Sequence, residues 1–122
     1  MKSIAVVLSA ALGLMSNAAL GNGNELIGQC QAAVKAIDGS QTNASAFGAG
    51  FCMGKVTGVM DMISIFSDRF EKQYQICMPT PGIQYGQGVR IVTKYLQDNP
   101  TLLHLEDTFL IHMALRRAFP CK

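Results

Sequence analysis

The stretch FCMGKVTGVMDMISIF, residues 51–66, decides the fold. It is apolar enough to be taken for a membrane span, holds one of four cysteines, and continues a run of glycines at four-residue spacing, Gly50, Gly54 and Gly58. Lys55 and Asp61 argue against a span, because a charge at a bilayer centre costs roughly 3 kcal/mol or more. A long soluble helix is left. Four-residue spacing aligns the glycines along one stripe, where missing side chains let another backbone approach. The expectation is close packing inside the bundle, with a homodimer seam as the second reading. Each helical glycine costs up to about 1 kcal/mol relative to alanine, which such packing would offset. Met53, Met60 and Met62 beside the stripe are read as core filling rather than as an adaptable binding surface.

The compartment follows from the other end of the chain. Met1-Lys2 gives a short positive start, Ile4 to Met15 an uncharged apolar run, and Ser16-Asn17-Ala18 a small-x-small site. This is the pattern of a cleaved secretory signal peptide, residues 1–21 with the cut between 18 and 21. The apolar run is too short for a transmembrane anchor, which needs about 20 residues, so no membrane association is expected after cleavage. Of ten basic and eight acidic residues only Lys2 is lost, leaving a mature charge near +1. No basic patch or tail points to nucleic acid. Residues 22–122 have the length of one domain, small enough that covalent staples matter. An even cysteine count in an exported chain reads as two disulfides among Cys30, Cys52, Cys77 and Cys121, with three connectivities open.

Hydrophobic periodicity yields four helices and no convincing strand, an all-α fold. The first runs from Glu25 to about Ile37 after Asn24 as a cap, with Leu26, Cys30, Ala33, Val34 and Ile37 on one side. The second starts after Asn43 or Ser45 and runs to about Tyr74, and Met78-Pro79-Thr80-Pro81-Gly82 then forbids helix. The third spans about Gly86 to Asp98, with Val89, Val92 and Leu96 inward, and ends at Asn99-Pro100. The fourth spans about Glu106 to Phe119, its stripe Ile111, Leu115 and Ala118, with acids in its first turn and Arg116 and Arg117 in its last. Short connections favour a compact antiparallel four-helix arrangement. That topology selects a pairing. Cys30, seven residues before the end of the first helix, is level with Cys52 on the second, and Cys77 and Cys121 follow helices that end at the same pole, so Cys30–Cys52 and Cys77–Cys121 are expected.

The inventory for catalysis is poor. With every cysteine oxidised there is no thiol nucleophile, and no Gly-x-Ser-x-Gly elbow, phosphate loop or His-Glu-x-x-His site is present. His104 and His112, eight residues apart, would need Glu106 or Asp107 to share a metal, and are read as a loop or cap residue and a partly buried, hydrogen-bonded residue. Asp61 and Asp68, about 10 Å apart along a helix, read as a solvated face. No cofactor and no metal are expected, and the chain is not read as an enzyme.

The segment Cys52-Met53-Gly54-Lys55-Val56-Thr57-Gly58, then Cys77-Met78-Pro79 with Gly82 and Gln87, then Lys94-Tyr95-Leu96 with Pro100 and His104, and finally Ala114 to Cys121 resemble the Rap/Tai family of type VI secretion immunity proteins. The likeness covers nearly all of the mature chain. It implies a small helical periplasmic protein, often dimeric and without catalysis, that blocks the active site of a cell-wall amidase injected by sister cells. It also implies that a loop between helices enters the toxin's cleft. On this chain the first candidate is the turn from Asn99 to Leu105, with Pro100 stiffening the backbone and Leu102, Leu103 and His104 offering two apolar groups and a hydrogen-bonding one. The second is Pro79 to Tyr85, including Gln84. Lys55, where the family often has an aromatic residue, and Thr80-Pro81 depart from the pattern and bear on which toxin is recognised. A small periplasmic acid-stress chaperone, also helical and disulfide-bonded, is the alternative function.

Overall fold

The computed structural model describes residues 21–40 and 45–122. The expected signal peptide, apart from Gly21, and the candidate cap Asn43 lie outside the described residues. Four α-helices are seen among them: α1 (Gly23–Ile37), α2 (Ala46–Phe66), α3 (Tyr85–Asp98) and α4 (Asp107–Ala118). Among the described residues there is no strand, and a lone antiparallel bridge joins Asn22 to Glu106. The all-α four-helix expectation is met.

Helices α1, α3 and α4 bury the face that their periodicity announces. Leu26, Cys30 and Ala33 of α1 meet Cys52, Val56, Met60 and Ile63 of α2, and Val89, Val92 and Leu96 of α3 close the core against Leu110, Ile111 and Leu115 of α4. The edges of the expected stripes are wetter: Ile37 and Ala118 are exposed and Val34 is half-buried. Both disulfides form as expected, Cys30–Cys52 with Cα atoms 5.1 Å apart and Cys77–Cys121 with 5.0 Å. The first lies wholly inside the core, whereas Cys77 is exposed.

Three local expectations are corrected. The cap of α1 is Asn22 rather than Asn24: its carboxamide oxygen accepts the amides of Asn24 and Glu25 at 2.9 and 3.3 Å, so the helix starts two residues early. The second helix stops at Phe66, not near Tyr74. There the Ser67 hydroxyl accepts the Ile76 amide at 2.9 Å and donates to the Ile76 carbonyl at 2.8 Å, folding the intervening residues back as two 3-10 turns, Ser67–Arg69 and Lys72–Tyr74. Phe66, Phe70 and Tyr74 keep four-residue helical spacing through this point with no proline or glycine, so that spacing did not mark the break.

The third correction concerns the glycine stripe. Gly50, Gly54 and Gly58 are exposed, and a Cβ added at any of them meets nothing within 4 Å. The close approach in the core is made elsewhere, at buried Gly88 of α3, where a Cβ would run into the Met60 thioether and lie 3.5 Å from Val56. Spacing identifies residues that share a face but not the direction in which that face points. The methionines divide accordingly, Met60 in the core and Met53 and Met62 exposed. Gly54→Ala and Gly58→Ala should therefore each stabilise the monomer by about 0.5 to 1 kcal/mol, measured by urea unfolding of dilute protein, because the helix gains propensity and nothing is displaced.

Candidate functional site

The turn between α3 and α4 is a short 3-10 segment, Pro100–Leu102, followed by Leu103, His104 and Leu105. Its backbone is held from within. Asn99 donates its side-chain amide to the Tyr95 carbonyl at 2.8 Å, Leu102 donates its amide to Asn99 at 3.0 Å, and Leu105 donates its amide to Leu102 at 2.9 Å. It is also held from outside, by the first described residues of the chain. The Gly23 amide reaches the Leu105 carbonyl at 3.0 Å, Asn24 directs both its backbone and its side-chain amide to the Leu103 carbonyl at 3.0 and 3.1 Å, and the Asp107 amide donates to the Gly21 carbonyl at 3.0 Å. Residues 21–24 thus form a bracket along the turn. Only glycine fits at position 23, where a Cβ would come within 2.8 Å of the Leu103 Cα.

The exit of the turn is an anchored helix start. The Glu106 carboxylate caps α4 by accepting the amides of Thr108 and Phe109 at 3.2 and 2.8 Å. Asp107, only 2 % exposed, forms an ion pair with Lys55 of α2, and its second oxygen accepts the Thr108 amide at 2.7 Å. Lys55 leaves the outward face of α2 for this partner, and its ammonium also lies 5.4 Å from the Phe51 ring.

The candidate residues divide by exposure. Pro100 and His104 are exposed at the tip, together with Thr101, which sequence reasoning did not single out. Asn99, Leu102 and Leu103 are half-buried, and both leucines pack against the core. The second candidate loop holds Pro79, Gln84 and Tyr85, all exposed. Tyr85 donates its phenol to Asp61 at 2.8 Å, and this hydrogen bond, with the nearby charge, raises its pKa above the ordinary 10.0. Arg90, bonded to Asp38, is likewise held more firmly protonated by that hydrogen bond and charge.

The two histidines do not meet. His112 donates from Nε2 to the Tyr74 carbonyl at 2.8 Å, the tautomer a carbonyl requires, and its ring contacts Phe70 and Tyr74. Among the described residues no group of three His, Cys, Asp or Glu side chains is placed to hold a metal ion. Sequence reasoning missed Gly21, Asn22, Gly23, the contact of Asn24 with the Leu103 carbonyl, and the Lys55–Asp107 pair. The alternating Gly-Asn-Gly-Asn of residues 21–24 was the available signal, since glycine permits close backbone approach and asparagine supplies the cap and the carbonyl donor.

These elements define a disulfide-stapled helical scaffold that presents a short turn held from both sides. Residues 22–121 match the model of the Rap1a immunity proteins, and the chain belongs to that family. It is thus an immunity protein of the kind directed against a secreted effector. No curated protein and no solved structure matches it.

The bracket and the ion pair carry separable predictions. Gly23→Ala should destabilise by about 1 to 3 kcal/mol through overpacking against the turn. Lys55→Met should cost about 3 kcal/mol by leaving a buried carboxylate unpaired, and adding Asp107→Leu should recover most of it. Urea unfolding of the singles and the double variant measures both effects.

Proposed function

We propose that this protein is a periplasmic immunity protein that binds a peptidoglycan amidase delivered by type VI secretion and occludes its active site, protecting the producing cell from its sisters. The observation that carries the reading is the braced turn. A segment whose carbonyls and amides are already engaged loses little further freedom on binding, so a few exposed side chains can give high affinity from a small contact. Pro100 and His104 are the tip residues offered to the cleft, with Asn99, Leu102 and Leu103 setting its shape, and Pro79, Gln84 and Tyr85 form a secondary contact. Two disulfides suit an oxidising compartment, and the secretory pattern of residues 1–21 agrees with the periplasm. Residues 22–122 then act as a single binding domain without catalysis or cofactor.

The outward face of α2 supports a homodimer. Phe47 is 83 % exposed, Ile65 62 % and Met62 52 %, and Gly54 and Gly58 line a shallow groove beside Met62 and Phe70. The helix is long and apolar enough to cross a membrane by length and composition alone. Its opposite side is nevertheless bonded to α1 through Cys52 and packed against α3, so a second copy of the chain is the better cover. A bulky Gly58→Leu variant should be monomeric by sedimentation at concentrations where the wild type is dimeric, with the helical circular dichroism unchanged.

Calorimetry of the oxidised mature protein against the effector encoded beside its gene tests the main reading, with wall hydrolysis followed in parallel. Tight binding that abolishes hydrolysis is expected. Pro100→Gly and His104→Ala should each weaken binding by about tenfold or more, as hot-spot residues do, while unfolding stability changes little for the exposed His104. An amidase that is neither bound nor inhibited overturns the assignment for that pair. The same exposed apolar face would also suit an acid-stress chaperone, and suppression of client aggregation at acid pH without effector binding would favour that reading.

A further inference from the structure

A surface lined by no residue of α2 has a different chemistry from the glycine stripe. A groove of about 360 Å³ runs between α3 and α4, floored by Ile91, Tyr95, Ala114 and Ala118. Arg90, Lys94 and Arg117 rim it against a single acid, Asp98. On the far side of α3 a second groove is bordered by Lys35 together with the same Arg90 and Lys94, and by no acid. The outward face of α3 therefore gathers cations in a chain whose mature charge is near +1.

The three cations at the rim are not equivalent. Arg90 is bonded to Asp38 at 2.6 Å and Lys94 to Asp98 at 2.9 Å. Among the described residues the Arg117 side chain makes no hydrogen bond or ion pair, whereas that of its neighbour Arg116 donates to the Gln73 carbonyl. A free guanidinium beside an apolar floor matches a carboxylate carried next to an apolar side chain, because the fork binds a carboxylate in bidentate fashion while the floor takes the hydrocarbon. Asn99 lines the same groove and begins the turn to α4, so the groove continues into the turn proposed for the effector cleft.

We propose that the α3–α4 groove is a second docking site for the effector, taking an acidic segment that places an apolar side chain on Ile91 and Tyr95 and a carboxylate on Arg117. This rests on the immunity reading for the identity of the partner. Charge complementarity at this site speeds association and fixes the orientation in which the turn is presented.

Two arms test it. In the first, Arg117→Glu and Arg117→Gln are titrated with the co-encoded effector at low and high salt, with Lys72→Glu, which lines neither groove, as the charge control. Arg117→Gln should weaken binding about tenfold and Arg117→Glu more, with a shallower salt dependence for both and none of these changes for the control. In the second, a capped hexapeptide of alternating leucine and aspartate is added to the isotopically labelled mature protein. Amide shifts should map to Ile91, Tyr95, Ala114 and Ala118, vanish in Arg117→Glu, and be absent with the lysine counterpart of the peptide. Wild-type effector affinity in Arg117→Glu overturns the proposal, as does an acidic peptide that seats elsewhere or seats equally well in that variant. A dimer that Arg117→Glu dissolves would assign the groove to a second copy and overturn it too. Seating of the peptide without any effector binding would reject the immunity reading for that pair while leaving the acidic specificity of the groove established.

Discussion

A carboxylate taken out of water must find a cation or lose its charge, and Asp107 meets that demand with a lysine from a helix fifty-two residues away in the chain. The consequence is architectural. Lys55 pins the start of α4 to the middle of α2, and the Asp107 amide meanwhile holds the Gly21 carbonyl, so one residue joins three separated segments. Between these fixings and the Asn99 contact at the end of α3, the turn has both ends located. The Cys30–Cys52 disulfide sets the separation of α1 and α2, but the ion pair sets where the turn ends and the Asn99 contact where it begins.

How much of this could be read beforehand depended on whether the signal was local. Helix periodicity placed all four helices, and the pairing of Cys30 with Cys52 and of Cys77 with Cys121 followed from helix ends and loop lengths alone. The end of α2 was hidden because the Ser67 hydroxyl acts on Ile76, nine residues on, while Phe66, Phe70 and Tyr74 keep helical spacing with no proline or glycine between them. The glycine stripe misled because a shared face carries no label for inside or outside. Gly88, between Gln87 and the core residue Val89, belongs to no glycine stripe, yet it is the one that lets α3 approach Met60. The bracket of residues 21–24 acts mostly through backbone groups, which every sequence possesses, so only its glycines and asparagines betrayed it. Lys55 was visible as a charge that argues against a bilayer, but its partner was legible only as a favourable acid at a helix start.

The finished surface separates chemistries by side. The outward face of α2 is apolar with small residues at its centre, the face of α3 is basic with an apolar floor beside it, and the turn lies next to the latter. A small domain that keeps these surfaces apart can engage more than one neighbour at once without competition between them. The buried staple between α1 and α2 makes that economy workable, because the core does not depend on either exposed face.

Because the turn is secured largely through its own carbonyls and amides, the exposed side chains at Pro100, Thr101 and His104 carry little of the fold's stability. The tip is consequently free to drift. If the tip enters the effector as proposed, substitutions there would alter what the scaffold recognises at small thermodynamic penalty, so descendants of one gene could diverge in specificity while inheriting the same frame. On that reading recognition and foldability would be nearly independent traits, and an arms race with a changing adversary could be run by mutation at a few positions.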